Sequence, residues 1–303
     1  MITVHNILEK VNFSKVIGDT SVVIKDIIPL DTENQRSDVL MWVSPKNNNK
    51  LPLIQFGVII CQNTCLTDRQ TEGVVLKSTC TYLQTDNPRA ALSSVIKHFF
   101  TTTLLPSIAE SAKIASDVVL GQDISIGENV VIEAKCSIGD NTVIGHNTVL
   151  KSGTWVGQNV QIGSNNVIGG VGFGYEKDEN GQWTLIPHIG KVMIEEGVEI
   201  GNCTCIDKGV LSNTILRKNC KIDNLVHIAH GADIGENALI IAHAMVAGSV
   251  QIGKNSWIAP GALIINQVSV GNDATVGLGA VVIKNVEEGQ TVVGNPARSI
   301  KSS

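Results

Sequence analysis

Aliphatic residues recur at every sixth position along most of the chain after residue 113. The first run is Ile114, Leu120, Ile126, Ile132, Ile138, Ile144, Leu150, Val156, Ile162 and Ile168. The pattern stops at Gly169 and resumes at Ile194, Ile200 and Ile206. After a slip near Ser212 it continues through Leu216, Ile222, Ile228, Ile234, Ile240, Val246, Ile252, Ile258, Ile264, Val270, Val276 and Val282. The chain therefore carries one long repeat with a single large interruption.

A six-residue period fits neither of the common isolated elements, because a helix repeats its apolar positions about every 3.6 residues and a strand every two. Short strands joined by corners do fit. Three such strands close a triangular coil in which each aliphatic side chain points inward and stacks on its counterpart one coil along. Small residues after the aliphatic position, as in Ile126-Gly127 and Ile138-Gly139, relax the corners. The pattern predicts a mainly β protein, a parallel β-helix of hexapeptide repeats, to which the known folds of this type assign a left-handed sense.

The first part of the chain lacks this period. Asn87-Pro88 opens an apolar run over 89–100, and proline suits the first helical turn because its missing N–H has no helical partner there. Strand-like runs lie at 22–24, 57–60 and 73–76. These signals predict a small α/β domain, connected to the repeat region over 101–108. The expected organisation is an α/β domain at 1–105, a β-helix at 106–298 with a projecting loop at 169–191, and a tail at 299–303.

Composition excludes some classes of protein. Aromatic residues make up only 4 % of the 303 residues, and the net charge is −5 with Lys and Arg scattered along the chain, so a nucleic-acid polymer is not an expected partner. The first residues lack a basic stretch followed by an apolar run, and no segment reaches membrane-spanning length, so we expect a cytoplasmic protein without a membrane span. The seven cysteines are expected to be reduced thiols, and Cys203 and Cys205 lack the spacing of a zinc or redox pair.

The interruption at 169–191 contains residues suited to binding. It holds Phe173, Tyr175 and Trp183 in a chain poor in aromatic residues. Asn180-Gly181 between short apolar runs is a hairpin signal, so the segment is predicted to project from the solenoid. It is either an inert surface loop or a binding loop, and its aromatic side chains favour binding.

Several stretches resemble the signature motifs of the UDP-3-O-(3-hydroxyacyl)glucosamine N-acyltransferases of lipid A biosynthesis. They are Gly-Phe-Gly-Tyr at 172–175, Ile-Pro-His-Ile-Gly at 186–190, Thr-Cys-Ile-Asp-Lys-Gly at 204–209 and Ile-Asp-Asn-Leu-Val-His-Ile-Ala-His at 222–230, in that family's order. Trp-Val-Ser-Pro-Lys at 42–46 and the Asn87-Pro88 helix resemble its nucleotide-binding domain. The resemblance covers nearly the whole chain and implies an enzyme that acylates the amine of a nucleotide-linked sugar.

The resemblance implies that His230 is the general base that deprotonates the sugar amine. The chemistry agrees, since an amine that attacks a thioester loses a proton and imidazole has the side-chain pKa nearest neutrality. By the same resemblance the backbone N–H of Gly248, one coil later, stabilises the oxyanion, and Asp223 is expected to orient or charge-stabilise His230. Expected substrate contacts are Phe173, Tyr175, His188, His227, His243, Asn224 and Gln267. Gly248 and Val281 are expected to face the acyl donor.

The other histidines leave alternatives open. His243 is either a surface substitution or an additional substrate contact, and His188 is either a loop contact or solvated. A metal site made by His227, His230 and His243 is a further alternative. Their spacing differs from the separated His and close pair of β-helical carbonic anhydrases, and His146 and His188 do not restore it. No metal is therefore predicted.

Three departures from the family bear on the substrates, and two of them concern individual side chains. Met41, Ser44 and Asn47 stand where the family has the aromatic, Asn and Tyr residues that hold uracil, so the expected nucleotide is thymidine or one bound elsewhere. Trp42 is a candidate stacking replacement. Gln267 aligns with a further active-site His of the family, and its amide does not exchange protons near neutral pH.

The ending Gly-Asn-Pro-Ala-Arg at 294–298 resembles the coenzyme-A-dependent hexapeptide acyltransferases and lacks the family's helical tail for acyl carrier protein. We therefore expect an N-acyltransferase that moves an acetyl or short 3-hydroxyacyl group from coenzyme A to a dTDP-linked amino-deoxysugar for a surface polysaccharide. Coenzyme A is expected as a co-substrate rather than as a permanently bound cofactor. The alternatives are lipid A N-acylation from acyl carrier protein and a non-enzymatic, glycan-binding scaffold. A homotrimer is expected, since in this class the donor lies between adjacent β-helices, which makes His230 an interface residue.

Overall fold

The computed structural model describes residues 1–31, 33, 35–63, 77–101 and 105–300. The chain folds into two compact units, Met1–Thr103 and Leu104–Ser303. Among the described residues, every helix is too short or too polar to cross a lipid bilayer.

The first unit is a small α/β structure. Its strands are β1 (Ile2–Thr3), β2 (Lys15–Ile17), β3 (Val23–Ile24), β4 (Asp26–Ile27), β5 (Val39–Trp42), β6 (Gly57–Gln62) and β7 (Cys80–Thr85). Its helices are α1 (Val4–Leu8), the 3₁₀ helix Pro45–Leu53 and α2 (Pro88–Phe99). The five-stranded sheet has the order β2-β7-β6-β5-β4, and β1 pairs with β3.

Three local predictions for this unit are confirmed. The Asn87 side chain accepts a hydrogen bond from the Ala90 N–H at 3.1 Å and caps α2, which begins at Pro88 as expected. The runs at 22–24 and 57–60 contribute β3 and β6. The third strand-like run, 73–76, and Cys65 lie outside the described residues.

The second unit is a solenoid of two- to five-residue strands on three faces. The first face contains Ser107–Ile108 (β8), Ser125–Ile126 (β11), Val143–Ile144 (β14), Gln161–Ile162 (β17), Glu199–Ile200 (β22), Lys221–Ile222 (β25), Leu239–Ile240 (β28), Trp257–Ile258 (β31), Thr275–Val276 (β34), Thr291–Val293 (β36) and Arg298–Ile300 (β37). The second contains Lys113–Ile114 (β9), Val131–Ile132 (β12), Val149–Leu150 (β15), Val167–Val171 (β18), Cys205–Lys208 (β23), His227–Ile228 (β26), Met245–Val246 (β29), Leu263–Ile264 (β32) and Val281–Val282 (β35). The third contains Val119–Leu120 (β10), Ser137–Ile138 (β13), Trp155–Val156 (β16), Val192–Ile194 (β21), Thr214–Leu216 (β24), Asp233–Ile234 (β27), Gln251–Ile252 (β30) and Ser269–Val270 (β33).

The aliphatic repeat forms the interior of this solenoid. In β26, β29 and β32, for example, the second residues Ile228, Val246 and Ile264 are buried and pair in parallel register from coil to coil. Burying each such side chain contributes about 1.5–3 kcal/mol before chain entropy is subtracted. The predicted mainly β fold is confirmed, and its hexapeptide repeats fit a left-handed β-helix.

The corners require special backbone conformations. Asn129, Asn147 and Asn165 have φ values of 56–60° at the corner between the first and second faces, and His243 (φ 61°) lies at that corner several coils later. Asn tolerates this left-handed region better than most non-glycine residues because its short side chain hydrogen-bonds locally.

Both irregularities of the repeat lie at one corner, between the second and third faces. The chain leaves β18, forms the antiparallel hairpin β19 (Tyr175–Lys177) and β20 (Trp183–Leu185), and returns at β21. The predicted hairpin is therefore confirmed. The slip near Ser212 is a second, shorter excursion between β23 and β24, and the two excursions are joined by the hydrogen bond from Ile189 N–H to Val210 O at 2.8 Å.

Strand pairing extends to both ends of the solenoid. Ser107–Ile108, which lies within both the predicted connection (101–108) and the predicted β-helix range (106–298), is strand β8 and pairs with β11. Arg298–Ile300 extends beyond the predicted β-helix boundary as β37 and pairs antiparallel with β36. In both places, backbone pairing with the end coil satisfies N–H and C=O groups that the repeat pattern alone does not reveal.

Candidate active site

The corner between the second and third faces holds a cavity of about 300 Å³. Its lining residues are Phe173, Asp207, His227, Ala229, His230, Met245, Ala247, Gly248, Ser249, Asn266 and Gln267. His230 follows β26 at this corner, and Gly248 follows β29 one coil later. The repeat therefore stacks an imidazole beside a glycine backbone, with Gln267 in the next coil.

Two glycines allow the backbone to approach the His230 ring. A Cβ on Gly248 would lie 2.6 Å from His230 Cε1 and 2.7 Å from its Nε2, and one on Gly172 would lie 3.0 Å from His230 Cβ and Cδ2. Side chains at these positions would displace the imidazole. Among the described residues, no backbone acceptor bonds the Gly248 N–H, which leaves this donor available beside the ring.

Asp207, on β23, supplies the carboxylate of the cavity. Its Oδ2 lies 3.6 Å from His227 Nε2. Burial raises the pKa of Asp207, while attraction from His227, His230 and His188 opposes that shift. Three imidazoles thus surround one partly buried carboxylate.

Thr214 links the backbones that carry the carboxylate and the base. Its buried hydroxyl donates to Asp207 O at 2.6 Å and accepts from the Gly231 N–H at 2.8 Å. Because Gly231 follows His230 directly, this bridge joins the two coils at the cavity.

His230 is partly desolvated. Burial lowers the pKa of His230, the neighbouring His188 lowers it further, and Asp207 acts in the opposite direction. A lowered pKa keeps the ring neutral, and so able to accept a proton, at neutral pH.

His188 packs behind His230. Its ring is 6 % exposed and meets the His230 ring edge-on, with centroids 5.5 Å apart and planes at 86°. Its Nδ1 lies 2.7 Å from Ile186 O, and since a carbonyl only accepts, Nδ1 carries the proton. The sequence predicts that His188 contacts the substrate. In the structure its side chain lies under Gly172 and does not line the cavity.

The hairpin presents aromatic side chains near the cavity. Phe173 lines it, is 87 % exposed, and contacts Tyr175 with ring centroids 4.9 Å apart. Lys177 lies over Trp183 further along the hairpin, 5.3 Å from the ring centroid. Phe173 and Tyr175 thus form an exposed apolar surface beside His230.

Three residues expected at the site lie at a different corner. Asp223 and Asn224 follow β25, between the first and second faces, and His243 lies above Asn224 with its N–H 3.3 Å from Asn224 O. The Asp223 carboxylate accepts hydrogen bonds from the Asn224 and Ala242 N–H groups. The expectation that Asp223 orients His230 is therefore corrected: the strand β26 separates the two corners, and Asp207 is the carboxylate beside His230.

The remaining expected residues follow the second face. His227, Met245, Leu263 and Val281 are the outward residues of four successive paired strands, so Val281 lies two coils beyond the cavity-lining Met245. Gln267 lines the cavity with a left-handed φ of 63°. The side chains of this row from Met245 onward are apolar, and Met245 and Leu263 are exposed.

Met41, Ser44 and Asn47, expected from sequence to replace a uracil clamp, differ in exposure, and Met41 and Asn47 are buried and exposed respectively. Met41 is fully buried in the core of the first unit, and Ser44 precedes the 3₁₀ helix. Trp42 is partly buried and packs against a second, separate hydrophobic cluster of the first unit. Among the described residues, no group of three or more His, Cys, Asp or Glu side chains is arranged to hold a metal ion.

Asp207 and Thr214 were not assigned roles from sequence. The signal was present in the register of the repeat, because Cys205 pairs with His227 across the 22-residue coil that contains the slip. That pairing places Asp207 beside Ala229 and therefore next to His230. A strict 18-residue spacing misses it.

Comparison with known proteins agrees with this architecture. Residues 135–170 match the model of the bacterial transferase hexapeptide (six repeats). The UDP-N-acetylglucosamine acyltransferases of Campylobacter jejuni and Bacteroides fragilis both superpose with a TM-score of 0.58, at 23 % and 22 % identity, over 64 % of this chain and 74 % of theirs. At this identity the superpositions show the fold alone. The chain is thus a hexapeptide-repeat β-helix protein.

Sequence similarity is stronger to a second group. The UDP-3-O-acylglucosamine N-acyltransferase of Campylobacter lari is 47 % identical over 216 residues, which are 67 % of this chain and 65 % of that protein. The enzyme of the same name from Methylobacillus flagellatus is 49 % identical over 83 residues, 27 % of this chain and 23 % of its own. These homologues confirm the resemblance predicted from the motifs, and the chain spans just under two thirds of the Campylobacter lari relative.

Proposed function

We propose that this protein is an acyltransferase that transfers an acyl group from a thioester to the amine of a nucleotide-linked amino sugar, with His230 as general base. The observation that carries the proposal is the contact between the partly desolvated His230 imidazole, whose pKa burial lowers, and the Gly248 backbone at the edge of a cavity. The names of the relatives support the same class of reaction.

The reaction follows from this arrangement. The amine nitrogen attacks the thioester carbonyl carbon while His230 accepts an amine proton, and the Gly248 N–H donates to the developing oxyanion. The tetrahedral intermediate then expels the thiolate, which takes the proton from the His230 imidazolium and leaves as a thiol. The product is an amide, and no acyl-enzyme forms. Asp207 stabilises the transient imidazolium electrostatically.

The second face supplies a route for the donor. The apolar row Met245, Leu263 and Val281 leads away from the cavity along successive coils, as a pantetheine or acyl chain requires. We propose that a neighbouring subunit of a homotrimer covers this row, since exposed apolar side chains along a flat sheet favour burial.

For the substrates we propose coenzyme A as donor and a dTDP-linked amino-deoxysugar as acceptor. Buried Met41 and core-packed Trp42 support an acceptor that is not held by a uracil clamp. The second candidate is UDP-3-O-acylglucosamine with an acyl carrier protein donor, which the names of the relatives favour.

A matrix assay separates these candidates. UDP- and dTDP-linked amino sugars are each combined with acetyl-coenzyme A, 3-hydroxyacyl-coenzyme A and acyl carrier protein thioesters, and thiol release and product mass are measured. Turnover only with acyl carrier protein and the UDP sugar selects the second candidate. No turnover with any pair contradicts both.

His230→Asn tests the base directly. We expect kcat to fall by about 10²–10⁴-fold because the proton acceptor is lost, while the unfolding temperature is retained. His146→Asn is the matched control, since His146 is exposed on the same solenoid and its ring Nδ1 accepts a hydrogen bond from the Glu128 N–H. Near-normal turnover in His230→Asn removes His230 from the mechanism.

A further inference from the structure

We propose that His188 is a positioning residue for the base, which fixes the plane of the His230 ring and disfavours its protonation. The inference rests on the proposed function, in which neutral His230 accepts the amine proton. It concerns a side chain that is outside the cavity lining.

The contact between the two rings is enclosed by the loop before the hairpin. A Cβ on Gly172 would lie 3.0 Å from His230 Cβ and 3.1 Å from His188 Nε2, so the Gly172 backbone covers the junction of the rings. A Cβ on Gly174 would lie 3.2 Å from His188 Cε1. With Gly248 against the opposite part of the His230 ring, rotation of that imidazole is restricted from several directions.

The tautomer of His188 is set by its backbone partner. Nδ1 donates to Ile186 O, so in the neutral ring Nε2 is an acceptor, and this buried atom has no hydrogen-bond partner among the described residues. A second proton on His188 would bind Nε2. This nitrogen lies on the side of the ring that is covered by the Gly172 backbone and by His230.

Two imidazolium rings with centres 5.5 Å apart repel each other, so His188 opposes protonation of His230. The titratable groups that face His230 are His188 from the loop before β21, Asp207 from β23 and His227 from β26. Asp207 attracts a proton to His230, and His188 opposes it. The consequence is a base that stays neutral at lower pH than Asp207 alone would permit.

Titration of the His230 ring by ¹H–¹³C NMR tests this without substrate. The wild type is compared with His188→Gln and His188→Phe, with His146→Gln as control, and His230→Asn identifies the resonance. Both variants remove the imidazole that opposes protonation of His230, and Phe keeps a planar ring at the contact. We expect the pKa of His230 to rise by about 0.5 unit or more in both.

The pH profile of kcat/KM gives the second readout. Its acid limb is expected to move to higher pH with the pKa of His230 in His188→Gln and His188→Phe. A third variant, His188→Ala, lacks the ring that contacts His230, so kcat above the acid limb is expected to fall more in His188→Ala than in His188→Phe. KM is expected to stay unchanged in all three.

A pKa of His230 in His188→Gln within about 0.2 unit of the wild type, in a protein with native circular dichroism, overturns the inference. A pKa shift without any effect of His230→Asn on turnover supports the coupling and contradicts the proposed function instead. If either His188→Gln or His188→Phe unfolds, the other variant still provides the test, since Gln and Phe differ in polarity.

Discussion

Enlarging Gly248 tests the geometry of the site most directly. A Cβ at this position would lie 2.6 Å from His230 Cε1, whereas ordinary van der Waals contact begins at 3.4 Å, so the imidazole must move by about 0.8 Å or rotate. Gly248 is not in the left-handed φ region, so alanine is compatible with the backbone. The Gly248→Ala substitution therefore displaces the base and keeps the amide donor.

A displacement of about 1 Å in a reacting group costs about 10²-fold in rate, and we expect a fall of that size in kcat with a small change in KM. Overpacking is expected to lower the free energy of unfolding by about 1–3 kcal/mol. Steady-state kinetics with the active substrate pair and urea unfolding measure the two effects.

Gly170→Ala is the matched control. A Cβ there would lie 3.4 Å from Asp207 Oδ1, which is ordinary contact, at the same corner of the solenoid. We expect its kcat to stay within about threefold of the wild type. A Gly248→Ala enzyme that behaves like Gly170→Ala would refute the idea that the glycine is required for the position of the imidazole.

Three further predictions concern neighbouring groups. Asp207→Asn removes the charge that raises the pKa of His230, so the acid limb of kcat/KM should move to lower pH and kcat should fall about tenfold; an upward or absent shift contradicts this. Thr214→Val leaves the part-buried Gly231 N–H without its acceptor and should destabilise the fold by about 1–3 kcal/mol in urea unfolding, a loss below about 0.5 kcal/mol being inconsistent. Phe173→Ala should raise KM for the acceptor up to about tenfold at an unchanged Tm, because the ring is exposed beside the cavity; an unaltered KM argues against contact.

The corner that holds the site illustrates what a repeat pattern predicts and what it leaves open. A period of six assigns each residue to a face, an interior position or a corner, so the stacking of Gly248 beside His230 follows from an 18-residue coil. The same period does not say which corner a polar residue shares with another. Asp223 precedes His230 by only seven residues but lies at the opposite end of β26, whereas Asp207, 23 residues away, lies beside it.

The sequence by itself determined the β-helix, because inward aliphatic residues at a strict period bury their surface in only one way, and it determined the hairpin through Asn180-Gly181 and the helix cap at Asn87. Only the tertiary structure decided which side chains surround His230. The two excursions that interrupt the repeat meet at that corner, and His188 reaches the base because the first excursion folds back onto neighbouring coils. Asp207 lies beside the base because β23 pairs with β26 in the register set by the 22-residue coil. Such contacts depend on distance in space rather than on spacing along the chain.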